Sequence, residues 1–562
     1  MSDGLWVDAR AYGSSLNDTA IGAAVTAIGS DERDLVLSPG AWTISNAMDI
    51  PSNVTLVVLH GAVMSHGANS ITVRSLKAGL YQIFDGTGDI IGGDNVEEIP
   101  PQWFGAVLWD NTAGEANYTA IRKALAFAIS PKGGASSSLE GHTNIHFTHG
   151  KWWIKGNSPL CFTRTELEAM PGAYRYRRGM KFVGDGREST IFILENTGAH
   201  TWFYSNYDAA YAGAMSTTDL VEFSGISFKT YEDSTPDRTY VVADASKRSG
   251  FYFASSGWEK WFTFNDCEFC GFDILFKYEG TANCDKNSLN NCKIRDIIDT
   301  VMSINNNQSI QNRLTNVDME KIYGNTFDIG KYGGGDLYFK GGSILLYNVR
   351  DGVDDPDYAA TDTRAFLNID LENQGTSSSL SPGNNMFTFE NLRFENYDLN
   401  QKYLYMRKTV GGLPGGSAFI NFKKCSFSNE YITEAAAAPT AFKEAFVVEH
   451  DVVAEVVFDQ CQLRNTNQYV IRNYTQTQRG SYMKFIDCMC LWLPSGATGT
   501  IAGDDLRERC ILDTVNSQGY FSARGTTSHK SLAIAVRYAL DFDYNCESAY
   551  GAYSSIKKFA HL

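Results

Sequence analysis

The sequence predicts an all-β fold, a solenoid of parallel coils stacked on one another, and three observations lead there. A phrase recurs between residues 223 and 490: bulky apolar residue, any residue, turn-former, apolar residue, any residue, apolar residue. Its copies begin at Phe223, Phe264, Leu289, Leu314, Phe339, Phe366, Phe389, Phe422, Phe458 and Phe485, and the starts 264, 289, 314 and 339 are each 25 apart. A fixed period in the twenties marks coils that cannot bury an apolar face alone and must stack. The third observation is composition: 51 glycines, 33 phenylalanines and 29 tyrosines favour turn-rich β structure over helix.

The register of the phrase sorts residues by role. Its third position holds Gly225, Asp266, Asn291, Asn316, Gly341, Asn368, Asn391, Lys424, Gln460 and Asp487. Gly, Asn and Asp tolerate a left-handed backbone, so this position is expected to be a tight corner between two strands. Positions four and six then point inward and position five outward. Cys267, Cys292, Cys425, Cys461 and Cys488 occupy one slot, held elsewhere by Ile226, Val317, Ile344, Ile369 and Leu392. The pair Cys267 and Cys270 therefore reads as core packing and not as a redox or zinc motif. Stacked reduced thiols suit folding in a reducing cytosol. A second inward ladder is expected at Phe272, Ile297, Ile322, Tyr347 and Tyr397.

A formal net charge of −16 argues against a nucleic-acid partner. No apolar run reaches membrane-spanning length, so no membrane insertion is expected. The start, Met1-Ser2-Asp3-Gly4, lacks the basic and apolar regions of a secretory signal. No phosphate loop, nucleophile elbow or metal-ligand spacing stands out, and neither a metal nor a cofactor is expected.

Along the chain, Asn17 or Asp18 caps a helix running to about Ile28, followed by short strands at Leu35–Leu37, Ile50–Leu56, Gly61–Ser65 and Ile71–Val73. The pattern returns about 100 residues later, with Asn117 expected to cap a second helix and a strand at Ile145–Phe147. Two such helices, each blunting the open end of a β stack, predict two stacks. The domains expected are a small β domain at 1–100, a large coil domain at 101–525, and a C-terminal cap or trimerisation region at 526–562.

Several of these segments resemble a known family. Tyr12-Gly13, Asp18–Ile21 and Ser38-Pro39-Gly40 resemble the opening of pectate-lyase-like right-handed parallel β-helices. Ile50–Leu56, Tyr81–Gly88 and Pro101-Gln102-Trp103-Phe104-Gly105-Ala106 resemble the N-terminal portion of bacteriophage tailspike and tail-fibre proteins, and Gly179–Gly186 with Ser189–Ile191 resembles a first full coil. The resemblance spans roughly residues 8–195. Gln102 stands where an acidic residue is usual, and no separate virion-binding head domain is evident. The resemblance implies a right-handed parallel β-helix, a homotrimer on the virion tail with phage tail or baseplate proteins as partners, and a bacterial surface polysaccharide (O-antigen or capsule) as ligand. Such a protein is made in the host cytoplasm and acts outside it.

The register also selects candidate catalytic residues. Outward positions five and seven give Asp318, Glu320, Asp370, Glu372 and Glu395 on one expected face, edged by Lys293, Arg295 and Arg393. Coils lie about 4.8 Å apart, so Glu372 and Glu395 are expected as near neighbours and Glu320 and Glu372 about 9–10 Å apart. These charges either keep the surface wet or supply the acid and base of glycoside hydrolysis, whose spacing is about 5 Å for retention and about 6.5–9.5 Å for inversion. Asp296 and Asp299, at the next corner, are second choices. Tyr332, Tyr338, Tyr358, Tyr403 and Tyr405 are available to stack on sugar rings, with Tyr358 and Tyr403 placed among the binding residues. The acidic run from Arg350 to about residue 364 reads as a solvated turn more readily than as a calcium loop. The stretches 402–417 and 430–446 are expected to wall a groove. The function expected is endo-glycosidic hydrolysis of polysaccharide. A lyase acting on a uronic-acid polymer and a noncatalytic adhesin are the alternatives.

Overall fold

The computed structural model describes residues 6–92 and 95–130, then the strands and corners of the coils from Asn144 to Phe542. Residues 131–143, 167–179, 208–218, 231–248, 331–335, 355–363, 371–383, 408–416, 430–444, 473–481, 492–510 and 543–562, with shorter stretches between strands, lie outside that description. The chain divides into two compact units. One comprises Met1–Pro236 with Trp261–Glu268, the other Asp237–Lys260 with Phe269–Leu562.

The first unit opens with parallel strands at Trp6–Asp8, Arg33–Leu37, Met48–Val58, Ile71–Ala78 and Ile90–Gly92, beside a three-stranded sheet at Gly40–Thr43, Ala62–Gly67 and Phe84–Gly86. Helix α1 (Asp18–Ile28) starts where Asn17 accepts a hydrogen bond from the Ala20 amide and ends at Gly29, with φ of 64°. It buries Ala20, Ile21, Ala24 and Ile28. Helix α2 (Gly114–Ile129) starts earlier than the sequence predicts, and no side chain caps it. Asn117 lies inside its first turn, buried. Its amide donates to the carbonyls of Val107 and Trp153, and its oxygen accepts from the Val107 amide. The asparagine is a clamp between helix and sheet and not a cap. Beyond it, Glu98–Ile99, Asn144–Phe147, Met180–Gly184 and Asp219–Ser224 pair in parallel. Phe147, Phe182, Phe223 and Phe264 stack through this unit with interplanar angles of 11°, 13° and 12°.

The second unit repeats one coil. Each turn lays a strand in a first sheet, bends at a left-handed corner, lays a strand in a second sheet, and turns into a third. Ser288–Asn290, Asn291, Lys293–Ile297 and Thr300–Asn306 form one turn. Asn312–Thr315, Asn316, Asp318–Ile322 and Asn325–Ile329 form the next. The sheets that build the coils are parallel, which makes this an all-β parallel β-helix, and one two-stranded antiparallel pair, Val349–Arg350 with Val353–Asp354, stands outside them. Its winding is the right-handed one that nearly all parallel crossovers take.

The phrase and the pairing agree at all but one copy. Leu289, Leu314, Phe339, Phe389, Phe422, Phe458 and Phe485 are successive register partners. Corners at Asn291, Asn316, Gly341, Asn391, Lys424 and Gln460 have φ between 52° and 72°. The amides of Asn291, Asn316, Lys424 and Gln460 donate to the following coil, which holds even lysine and glutamine in this strained region. Phe366 is the exception. Ala365–Asp370 pairs with Asn325–Ile329 and Lys402–Arg407 in the third sheet, and Phe339 pairs directly with Phe389. Phe366 thus belongs to a long coil, and Asn368 has no left-handed φ.

The thiols lie inside. Cys292, Cys425, Cys461 and Cys488 are at most 1% exposed, and the last three donate to carbonyls of the preceding coil at 3.1–3.3 Å. Burial among these sulfurs pushes the Cys461 and Cys488 thiols far above their ordinary range. In the coil of Phe339, the thiol slot is held by Gly342, opposite Leu392, while Ile344 belongs to the next inward ladder with Met319 and Phe394. Cys270, read as core packing although it holds position seven of the phrase, is fully buried. In the second inward ladder Phe272, Ile297 and Ile322 are buried as expected. A register shift then places Leu346 opposite Ile322, leaving Tyr347 and Tyr397 half-buried with rings 4.9 Å apart.

Candidate active site

The expected face exists on the second sheet, but with fewer carboxylates. Lys293 pairs with Asp318 in one outward ladder, Ser343 with Arg393 in its continuation, Arg295 with Glu320, and Leu345 with Glu395. Lys293 Nζ lies 3.1 Å from Glu320 Oε2. Glu395, 8% exposed, is ion-paired with Arg393 and accepts a hydrogen bond from the Tyr397 hydroxyl at 3.0 Å. Asp318 Oδ1 accepts from both the amide and the hydroxyl of Ser343. Each carboxylate on this face already holds a donor, and Leu345 stands between the positions of Glu320 and Glu395.

Asp370 is not on that face. It ends the third-sheet strand Ala365–Asp370, opposite Arg407, because the phrase at Phe366 was laid on the wrong sheet. Glu372 and Tyr358 lie outside the described residues. Tyr403 is 1% exposed and its hydroxyl donates to the Ser428 carbonyl, so it is a core residue with no face for a sugar. Tyr405 is likewise buried, and Tyr338 on the first sheet donates to Glu390 at 2.6 Å. Tyr332 lies outside the description. Asp296 takes a left-handed φ of 55° and accepts from the Cys270 thiol.

The move of Asp370 brings it into a different group. On the third sheet, Phe276, Met302, Phe327, Leu367, Leu404 and Phe446 are in register and buried. Alternation therefore turns the register row Lys277, Ser303, Asp328, Asn368, Tyr405 to the outer face. Two residues further along, Asp370 and Arg407 face the same way, with Arg407 Nε 3.2 Å from Asp370 Oδ2. Asn368, 4% exposed, donates from Nδ2 to Asp328 Oδ1 at 2.7 Å. Arg407 and Lys402 flank the Tyr405 ring at 5.5 and 5.2 Å.

Asp328 is the electrostatic centre of this group. Burial raises its pKa above the ordinary aspartate value, and the charges of Asp299 and Asp370 raise it further. The Asn368 hydrogen bond and the Arg407 charge act in the opposite direction and do not cancel the rise. Asp299 sits at the turn into the third sheet, where the next coil carries Gly324. A Cβ on Gly324 would come within 1.8 Å of the Asp299 carbonyl oxygen, so only glycine lets the two turns stack. A carboxyl whose pKa is raised by burial and by two neighbouring carboxyls is suited to giving a proton and taking it back.

The signal for Asp328 was present as apolar-polar-apolar triplets: Met302-Ser303-Ile304, Phe327-Asp328-Ile329, Leu367-Asn368-Ile369 and Leu404-Tyr405-Met406. The spacing between these triplets is uneven, and only pairing puts them in one row.

Fold and site together define a parallel β-helix with a carboxylate cluster on the outer face of one sheet. Its similarity to solved structures is one of distant architecture. Against the catalytic unit of the GH87 α-1,3-glucanase from Streptomyces thermodiastaticus strain HF3-3 the TM-score is 0.36 at 12% identity, covering 79% of this chain and 71% of that one. The mannuronan C-5 epimerase A-module of Azotobacter vinelandii matches with a TM-score of 0.31 at 9% identity, over 81% of this chain and all of that one. ORF18 of Geobacillus virus E2 matches at 0.29 and 9%, over 76% of this chain and 61% of that one. No protein-family model and no curated protein sequence matches.

Proposed function

We propose that this chain is a tailspike-type depolymerase that binds a bacterial surface polysaccharide and hydrolyses it within the chain. The observation that carries the reading is the carboxyl group around Asp328, which accepts from Asn368 at 2.7 Å and whose pKa is raised above the ordinary aspartate value by burial and by Asp299 and Asp370. Glycoside hydrolysis needs a proton donor beside a second carboxyl group, and Asp370, 3.2 Å from Arg407 Nε, is that second group in this reading. Strand geometry places the Asp328 and Asp370 Cα atoms about 8 Å apart, one coil and two residues, so both carboxyls are within reach of one glycosidic bond. Glu320, Glu395 and Asp318, with Lys293, Arg295 and Arg393, serve in this reading as a polar track that binds the polymer, since their charges are already matched. Homotrimerisation and attachment to a phage tail belong to the same proposal and rest on the resemblance of residues 8–195.

A lyase acting on a uronic-acid polymer is the second reading, favoured by Arg407, whose guanidinium beside Asp370 is suited to holding a uronate carboxylate. Incubation with host capsule or O-antigen separates the readings. New reducing ends without absorbance near 235 nm indicate hydrolysis, that absorbance indicates a lyase, and an unchanged polymer indicates an adhesin. Asp328→Asn should abolish cleavage while leaving retention on the polymer intact; cleavage at the wild-type rate would remove Asp328 from the mechanism.

A further inference from the structure

We propose that Asn368 is the positioning partner of Asp328, an amide that holds the acid in both of its protonation states and turns over as the proton leaves. The proposal rests on the reading of Asp328 as the acid and extends it to a residue that touches no substrate.

The two side chains belong to adjacent coils and are direct register partners, so the backbone ladder fixes their approach. Asn368 Nδ2 donates to Asp328 Oδ1 at 2.7 Å. An amide nitrogen only donates, so the oxygen it faces cannot be the one that carries the proton. In this orientation a neutral Asp328 holds its proton on Oδ2, and an ionised Asp328 receives a charge-assisted hydrogen bond. The same orientation leaves Asn368 Oδ1 buried with no hydrogen-bond partner among the described residues. A buried carbonyl oxygen left unpaired costs about 1–3 kcal/mol.

A half-turn of the amide exchanges its two ends, leaving Nδ2 where Oδ1 stood, and is favoured in one protonation state only. It brings Oδ1 opposite Asp328, where a protonated carboxyl donates its O–H and pairs the orphan oxygen. An ionised carboxylate would meet that oxygen as a like partner and favours the Nδ2 orientation. The amide is thus matched to Asp328 before and after proton transfer, with donor and acceptor exchanged. Nothing is bonded covalently, and the only net change is the proton passed from Asp328 to the leaving oxygen. Tyr405 follows Asn368 in the same row and is itself buried beneath Lys402 and Arg407. The amide therefore has a packed neighbour on one side and Asp328 on the other.

The test uses the full chain with 13Cγ-labelled aspartate and 15N-labelled asparagine side chains, titrated by NMR without substrate. Asp328→Asn and Asn368→Leu identify the two signals. The wild-type Asn368 side-chain nitrogen should shift with the same midpoint as the Asp328 carboxyl. In Asn368→Leu, and more weakly in Asn368→Ser, the Asp328 midpoint should move upward, because the stronger of the two lost hydrogen bonds stabilised the anion. The basic limb of the depolymerisation profile, where the general acid loses its proton, should move with it. An Asn368 signal that ignores the Asp328 titration overturns the proposal, as does a Leu variant that folds and leaves the midpoint in place. The wild-type titration alone decides the coupling if both variants fail to fold. Loss of the acid role appears separately, as undiminished cleavage by Asp328→Asn.

Discussion

Asp328 shows how a single residue can be costly to the fold and useful to the site. A carboxyl whose folded pKa is raised favours folding below its unfolded pKa, and that contribution is lost as pH rises through the folded value. Asp328→Asn should therefore be more stable than wild type at neutral pH, with the difference vanishing on acidification below the ordinary aspartate range. Thermal melts at pH 3 and pH 7 measure this directly. The same substitution should lower kcat about 10²–10⁴-fold, the usual contribution of a general acid. Glu390 has the opposite sign. Its hydrogen bond from Tyr338 depresses its pKa, so any stabilisation is present at neutral pH and lost as pH falls through the folded value; its exposure keeps the contribution small. The thiols offer a third residue-scale test. Cys267, Cys270, Cys292, Cys425, Cys461 and Cys488 are buried thiols outside any disulfide, so a thiol reagent should reach them in denaturant and not in the native chain.

At the scale of the element, the corner and the turn matter more than the strand. Gly342 has φ of 118°, and a Cβ there would lie 2.0 Å from the Val317 carbonyl oxygen. Gly342→Ala should destabilise the chain by at least about 2 kcal/mol, read as a lowered denaturation midpoint. Gly324→Ala tests a different link. Its Cβ would meet the turn that carries Asp299, so the variant should lose cleavage while the rest of the coil remains folded, visible as a retained β signal in circular dichroism. The corners also show how far a sequence pattern reaches. Asparagine and glycine announce a left-handed bend, yet Lys424 and Gln460 make the same bend because the ladder holds their amides. Asn368 had the right residue type in the right phrase and makes no bend, because its strand pairs on another sheet.

For the whole molecule, the repeat alone determined a solenoid, its corners, its stacked phenylalanines and its interior thiols. Those features depend on neighbours fixed by the period: each Phe buries against the same position one coil away, a contact worth roughly 1.5–3 kcal/mol per ring. Phe389, Phe422 and Phe458 stack at 5.1 and 5.3 Å as that periodicity requires. The proposal that three such chains assemble predicts a sedimentation mass near three times 62.1 kDa. A monomer at working concentration would remove that part of the reading. The site was legible only in part. Residues whose spacing follows the phrase, such as Glu320 and Glu395, were placed on their sheet correctly. Asp328, Asn368, Asp370 and Arg407 come from coils of unequal length, so their spacing in sequence carries no period. Only the hydrogen-bonded pairing of the third sheet brings them into neighbouring rows, and only the resulting burial and mutual repulsion raise the pKa of Asp328.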